Sequence, residues 1–68
     1  MKAISGKDFA KLLERRDWEL QRTSESHYIY AKEGNPARIS VPIHGNSPLK
    51  IGLIRYLMKI AGIDETEL

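Results

Sequence analysis

Cysteine is absent from the 68-residue chain. No disulfide can staple the fold, and no thiolate offers a nucleophile or a soft metal ligand. A small chain without that staple fits a reducing compartment, so cytoplasm is the expected location. Runs of about 18 apolar residues, the length needed to cross a bilayer, are also missing, and no charged-then-apolar leader opens the chain. Neither a membrane span nor a secretory signal is expected. Carboxylates do not cluster at metal-ligand spacing, and the five glycines form neither a dinucleotide-binding nor a P-loop pattern. No metal and no small-molecule cofactor is expected. Histidine occurs only twice.

What remains is a small basic scaffold. A chain of this length buries only about 60% of the surface its unfolded form exposes, so one efficient domain spanning residues 1–68 is expected. The formal net charge is +2, but Asp64, Glu65 and Glu67 fall in the last five residues, leaving 11 basic and 6 acidic side chains over residues 1–63. That balance suits a polyanion or an acidic protein partner.

Periodicity places the elements. A first helix runs from about Gly6 to Arg16, with Ser5 as N-cap, Asp8 at N3 and Ile4 positioned to staple against Phe9. At about 100° per residue Phe9, Leu12 and Leu13 share one face, and Lys7, Lys11 and Glu14 lie opposite. Three strands follow. Trp18 to Thr23 alternates Trp18 and Leu20 with Glu19 and Gln21; His27 to Lys32 is rich in Tyr and Ile; Ala37 to Ile43 sets Ile39, Val41 and Ile43 on one face. Thr23 to Ser26 reads as a polar turn and Glu33 to Pro36 as a hairpin loop. Pro42 lacks a ladder donor, so the third strand ends there or lies at an edge.

A loop from His44 to Pro48 leads to a second helix ending at Ala61, with Ile51, Ile54, Leu57, Met58 and Ala61 as its apolar stripe. Its start is open between Ser47 with Pro48 at N1 and a point near Lys50, because Gly52 weakens a helix interior. Gly62 followed by Ile63 suits a Schellman ending, and Asp64 with Glu67 can cap a last short turn. The order is α-β-β-β-α. Burial is solved by an α+β fold in which a three-stranded antiparallel meander carries both helices on one face and leaves the other wet.

On these residues the chain resembles the HicA toxin family. The likeness runs through Ser5-Gly6-Lys7-Asp8, Ser26-His27-Tyr28-Ile29-Tyr30, Ile39 to Asn46, Leu49 to Leu57 and Ala61-Gly62-Ile63. The resemblance implies a double-stranded-RNA-binding-domain-like fold. It also implies a metal-independent mRNA interferase that cleaves RNA, with a catalytic histidine at the start of the second strand, and a HicB-type antitoxin as protein partner. His27 holds the matching position. The chain departs from the common family pattern where Glu25-Ser26-His27 replaces Gly-Ser-His, and where Ile51 replaces a proline.

Each candidate residue has a plainer reading beside the functional one. His27, with an unperturbed imidazole pKa of about 6.5, suits proton transfer near neutrality; otherwise it is a strand-start histidine bonded into the fold, sharing strand parity with Ile29 and Ala31, which would face the helices. Glu25 and Ser26 can tune or orient that ring, or serve only the turn. His44 is a second acid–base candidate, or a loop residue satisfying backbone. Lys7, Lys11, Arg22, Lys32, Arg38, Arg55 and Lys59 are available to phosphates, and Lys7, Lys11, Arg38 and Lys50 are the RNA contacts to test first. Tyr28 and Tyr30 either stack on bases or pack across strands, while Trp18 and Phe9 belong to the core. Two other functions compete: a non-catalytic RNA-binding module of the same fold, and an interaction domain presenting Leu53 and Ile60 as an apolar flank.

Overall fold

The computed structural model describes residues 3–68. Its elements are α1 (Gly6–Arg15), β1 (Glu19–Ser24), β2 (His27–Lys32), β3 (Asn35–Pro42), α2 (Ile51–Ala61) and a closing 3-10 turn (Glu65–Glu67). The strands form one antiparallel sheet in the order β1-β2-β3. The result is the α+β, α-β-β-β-α arrangement anticipated above.

Caps fix the helices. The Ser5 hydroxyl accepts from the Asp8 N–H at 3.1 Å and starts α1. Its end turns through Asp17 at φ 70°, with the Trp18 N–H donating back to the Leu13 carbonyl at 3.0 Å. Gly62 closes α2 in the left-handed region, and the Ile63 N–H reaches the Met58 carbonyl at 3.0 Å, the expected Schellman ending. Asp64 and Glu67 form a reciprocal capping box around the last turn.

One core joins the layers. Phe9, Leu12 and Leu13 from α1 pack in one cluster with Trp18, with Tyr30, Ile39 and Val41 from the sheet and with Ile54, Leu57 and Met58 from α2. Cross-strand partners share a face, so the pairs Tyr28–Val41 and Tyr30–Ile39 define the side that the helices cover.

Several sequence readings need correction, and one left open is decided. Trp18 is buried but precedes β1, whose six residues are all exposed. Leu20 pairs with Tyr30, yet on the outermost strand it remains 43% exposed instead of joining the core. The hairpin loop between β2 and β3 shrinks to Glu33-Gly34, with Gly34 at φ 81°, because Asn35 already pairs with Lys32. The second helix starts at Ile51 with Lys50 as N-cap, which decides the open start in favour of the point near Lys50 over Ser47-Pro48. Pro48 bridges to Ser5, and the Leu49 N–H donates to the Ile4 carbonyl at 2.8 Å, so this segment is held extended by partners distant in sequence. Ile51 is consequently 36% exposed and leaves the predicted stripe.

A last correction concerns parity in β2. Tyr28 and Tyr30 face the helices, so His27, Ile29 and Ala31 point to the open side of the sheet. Both parity sets of this strand are apolar enough to be covered, and sequence alone chose the wrong one.

Candidate functional site

The β1–β2 hairpin is a two-residue turn, Glu25-Ser26, closed by the pair Ser24–His27. Only its first residue takes positive φ: Glu25 stands at 54°. Glycine enters that region without steric penalty, and in two-residue turns of this pattern it is the favoured first residue. The glutamate therefore holds backbone strain beside His27. The Ile43 N–H donates to the Ser26 carbonyl at 2.7 Å and ties the turn to the end of β3.

The same end of the sheet receives α1. A Cβ added to Gly6 would lie 2.2 Å from the Pro42 carbonyl oxygen, so only glycine permits this approach. Pro42 in turn pairs with His27. Helix start, strand end and hairpin turn thus converge, and His27 projects from that junction onto the open face.

His27 is exposed, and no hydrogen bond or ion pair engages its imidazole among the described residues. Its row on the open face contains Ser24 and Pro42. The next row holds Arg22, Ile29 and Ser40, and the one beyond holds Glu19, Ala31 and Arg38. Arg38 lies at the far end of the face, and its guanidinium donates to the Pro36 and Ala37 carbonyls of its own strand. Arg22 stands nearer to His27 than Arg38 does.

The remaining candidates divide between two grooves. Lys7, Lys11 and Glu14 of α1 line a groove of about 610 Å³ with Tyr28 and the Gly45-Asn46 loop. His44 and Lys50 line a smaller groove of about 220 Å³ beside Pro42 and Leu53. The four predicted cations therefore do not form one patch. His44 is exposed and adjacent to Pro42 in that groove, while His27 opposes Pro42 in the sheet. Ser26 is half-buried at the turn. Sequence reasoning missed Asn46 and treated Glu14 as plain solvated helix. The spacing Lys7, Lys11, Glu14 did mark one helix face; what it could not show is the loop that closes over it.

Tyr30 is 1% exposed, and its hydroxyl donates to Glu14 Oε2 at 3.0 Å. Burial, then the hydrogen bond and charge of Glu14, raise its phenol from 10.0 to about 12. Tyr30 is accordingly core. Tyr28 stays half-buried with its ring on the groove. On α2, Leu53 and Ile60 are half-buried and Tyr56 is 61% exposed. Among the described residues no group of three or more His, Asp or Glu side chains is placed to hold a metal ion, and no helix is long and apolar enough to cross a membrane.

A family model described as HicA toxin of bacterial toxin–antitoxin matches residues 6–63. No curated protein matches the chain.

Proposed function

The chain belongs to the HicA toxin family and is by that membership the toxin of a toxin–antitoxin pair; on this premise we propose that it is a ribonuclease acting in the cytoplasm on mRNA through His27. The observation that supports the reading is the placement of His27. It is an exposed imidazole with no intramolecular partner among the described residues, at a junction where Gly6 packs on the Pro42 carbonyl and the Ser26 carbonyl accepts from the Ile43 N–H.

In the reaction the neutral imidazole of His27 takes the proton of a ribose 2′-hydroxyl. The 2′-oxygen attacks the adjacent phosphorus, the P–O5′ bond breaks, and the departing 5′-oxygen receives a proton from the imidazolium, from water or from His44. The products are a 2′,3′-cyclic phosphate and a 5′-hydroxyl. Atoms and charge balance with no metal and no cofactor. Lys7 and Lys11 hold the RNA backbone, with Arg22 as a further cation on the face of His27; such contacts position a strand without reading its sequence. A HicB-type antitoxin silences the toxin by covering the surface around His27.

The test compares wild type and His27→Ala on end-labelled single-stranded RNA, with a second substrate carrying 2′-deoxyribose at the cut site. General acid–base catalysis contributes about 10²–10⁴-fold, so cleavage by the variant falls by about a thousandfold. The exposed site leaves stability within about 0.5 kcal/mol of wild type. The deoxy substrate stays whole, and growth arrest in cells disappears with the variant. Equal cleavage by both proteins overturns the role of His27. Salt-sensitive binding that leaves RNA intact in wild type replaces the nuclease with a non-catalytic RNA-binding module.

A further inference from the structure

Asp8 in the first turn of α1 and Arg15 in the last follow the helix dipole, but Lys7 and Glu14, which line the groove, do not. Lys7 sits in the first turn, where the helix dipole disfavours cations, and Glu14 sits near the last turn, where it disfavours anions. Lys7 and Lys11 are like charges at i,i+4 and repel. All three line the groove that Tyr28 and Asn46 complete. Glu14 is held by the Tyr30 hydroxyl and pairs in charge with Lys11 at i,i+3, but helix stability does not explain Lys7 or its repulsion with Lys11, and an anionic ligand at the groove does.

We infer that this groove is a pocket for one unpaired RNA base, in which Tyr28 offers the stacking surface and Glu14 reads the base edge in favour of guanine. The inference rests on RNA being the ligand, as proposed above. Tyr28 is half-buried, so its ring is held by the core on one side and open to the groove on the other. Aromatic rings held in this way stack on unpaired bases. The Tyr30 hydroxyl fixes Glu14 Oε2 at 3.0 Å. A carboxylate so held keeps Oε1 and one lone pair of Oε2 available. Guanine is the base whose pairing edge presents two adjacent donors, N1–H and N2–H, which match the two oxygens. Adenine and cytosine bring one amino group beside an acceptor, and uracil brings a single imino donor between two acceptors. Lys7 and Lys11 at the rim meet the phosphates on either side, and the Asn46 amide is a further donor and acceptor for the base.

The placement also links pocket to chemistry. Tyr28 follows His27 directly in β2, with the two side chains on opposite faces at the same end of the sheet. A strand that seats one base against Tyr28 passes around this end toward His27. Cleavage then occurs close to a guanine.

The experiment measures binding, so that it does not depend on cleavage. The full chain carrying His27→Ala is titrated against fluorescein-labelled uridine oligonucleotides containing one central guanosine, inosine, adenosine or uridine, and anisotropy is recorded. Guanosine is expected to bind about tenfold tighter than uridine, the scale of one good bidentate pair. Inosine, which lacks the N2 amino group, falls between them. Adding Glu14→Gln reduces the guanosine preference to within about twofold, and Tyr28→Leu weakens every oligonucleotide by about tenfold. Circular dichroism checks that each variant folds. Equal affinity for guanosine and uridine, or a preference that survives Glu14→Gln, overturns the pocket and leaves the nuclease reading intact. A guanosine preference in a wild-type protein that cuts nothing supports the pocket and overturns the nuclease. Failure to bind any of the RNAs overturns both.

Discussion

Glu25 shows how a single residue can hold backbone strain in a tight turn. Its φ of 54° lies where an L side chain meets the following carbonyl, at about 1–2 kcal/mol. Glu25→Gly removes that strain but frees the unfolded chain by about 0.4–1 kcal/mol. The expected net outcome is a gain of about 0.5 kcal/mol, read from the midpoint of urea unfolding. Tyr30 carries a second residue-scale consequence. Its phenol is held up at about 12 against an unfolded value of 10.0. The folded chain therefore keeps a proton that the unfolded chain releases in this interval, and stability, constant below pH 10, falls as pH rises from 10 to 12. Tyr30→Phe is expected to cost about 1 kcal/mol at neutral pH through the lost hydrogen bond and to flatten that alkaline decline, both measurable by denaturant titration across pH.

At the scale of elements, the junction of α1 with β3 decides whether the site exists. The Gly6 contact with the Pro42 carbonyl oxygen leaves no room for a methyl group. Gly6→Ala is expected to destabilise by about 3 kcal/mol, because backbone has to yield where overpacking is least tolerated, and to lower the denaturant midpoint accordingly. The helices and caps were legible in the sequence because their signals are local. Ser5, Gly62 and the Asp64–Glu67 box act within a few residues of themselves. The start of α2 was legible only as a choice between Ser47-Pro48 and a point near Lys50, since Pro48 and Leu49 are held extended by Ser5 and Ile4, and no local pattern announces a partner more than forty positions away. The exposure of His27 was hidden for a related reason. Alternation separates two sets of side chains in β2 without saying which set the helices will cover, and His27-Ile29-Ala31 and Tyr28-Tyr30-Lys32 are both plausible inner faces. The irregularity between Leu20 and Arg22 further scrambles parity in β1.

For the whole molecule, the sheet separates two functions. One side closes the core and carries at its end the groove of Lys7 and Lys11; the other presents Arg22 and the His27 imidazole to solvent. Sequence located the correct order of elements and much of the core, though not Ala10, Leu49 or Ile63, and the RNA contacts it named are dispersed. Lys7 and Lys11 share one groove, Lys50 lies in another, and Arg38 is turned toward its own strand. Electrostatics should follow this division. Each phosphate contact to a single strand adds about 0.7 to the slope of log affinity against log salt. Lys7→Glu is expected to lower that slope by at least about 0.7 while raising helix stability by about 0.5 kcal/mol, since it removes a repulsive pair and suits the helix dipole. Anisotropy titrations at several salt concentrations, with thermal unfolding in parallel, check the two halves.

Trp18 is the only indole in the chain and is 2% exposed, wedged where α1 hands over to the sheet. Its fluorescence reports on the interior of this protein alone, with no second fluorophore of its kind to blur the signal. Short-wavelength emission shielded from aqueous quenchers marks the intact fold, and a red shift with quencher access marks its loss. The molecule thus carries its own optical gauge for every substitution considered above, none of which replaces that ring.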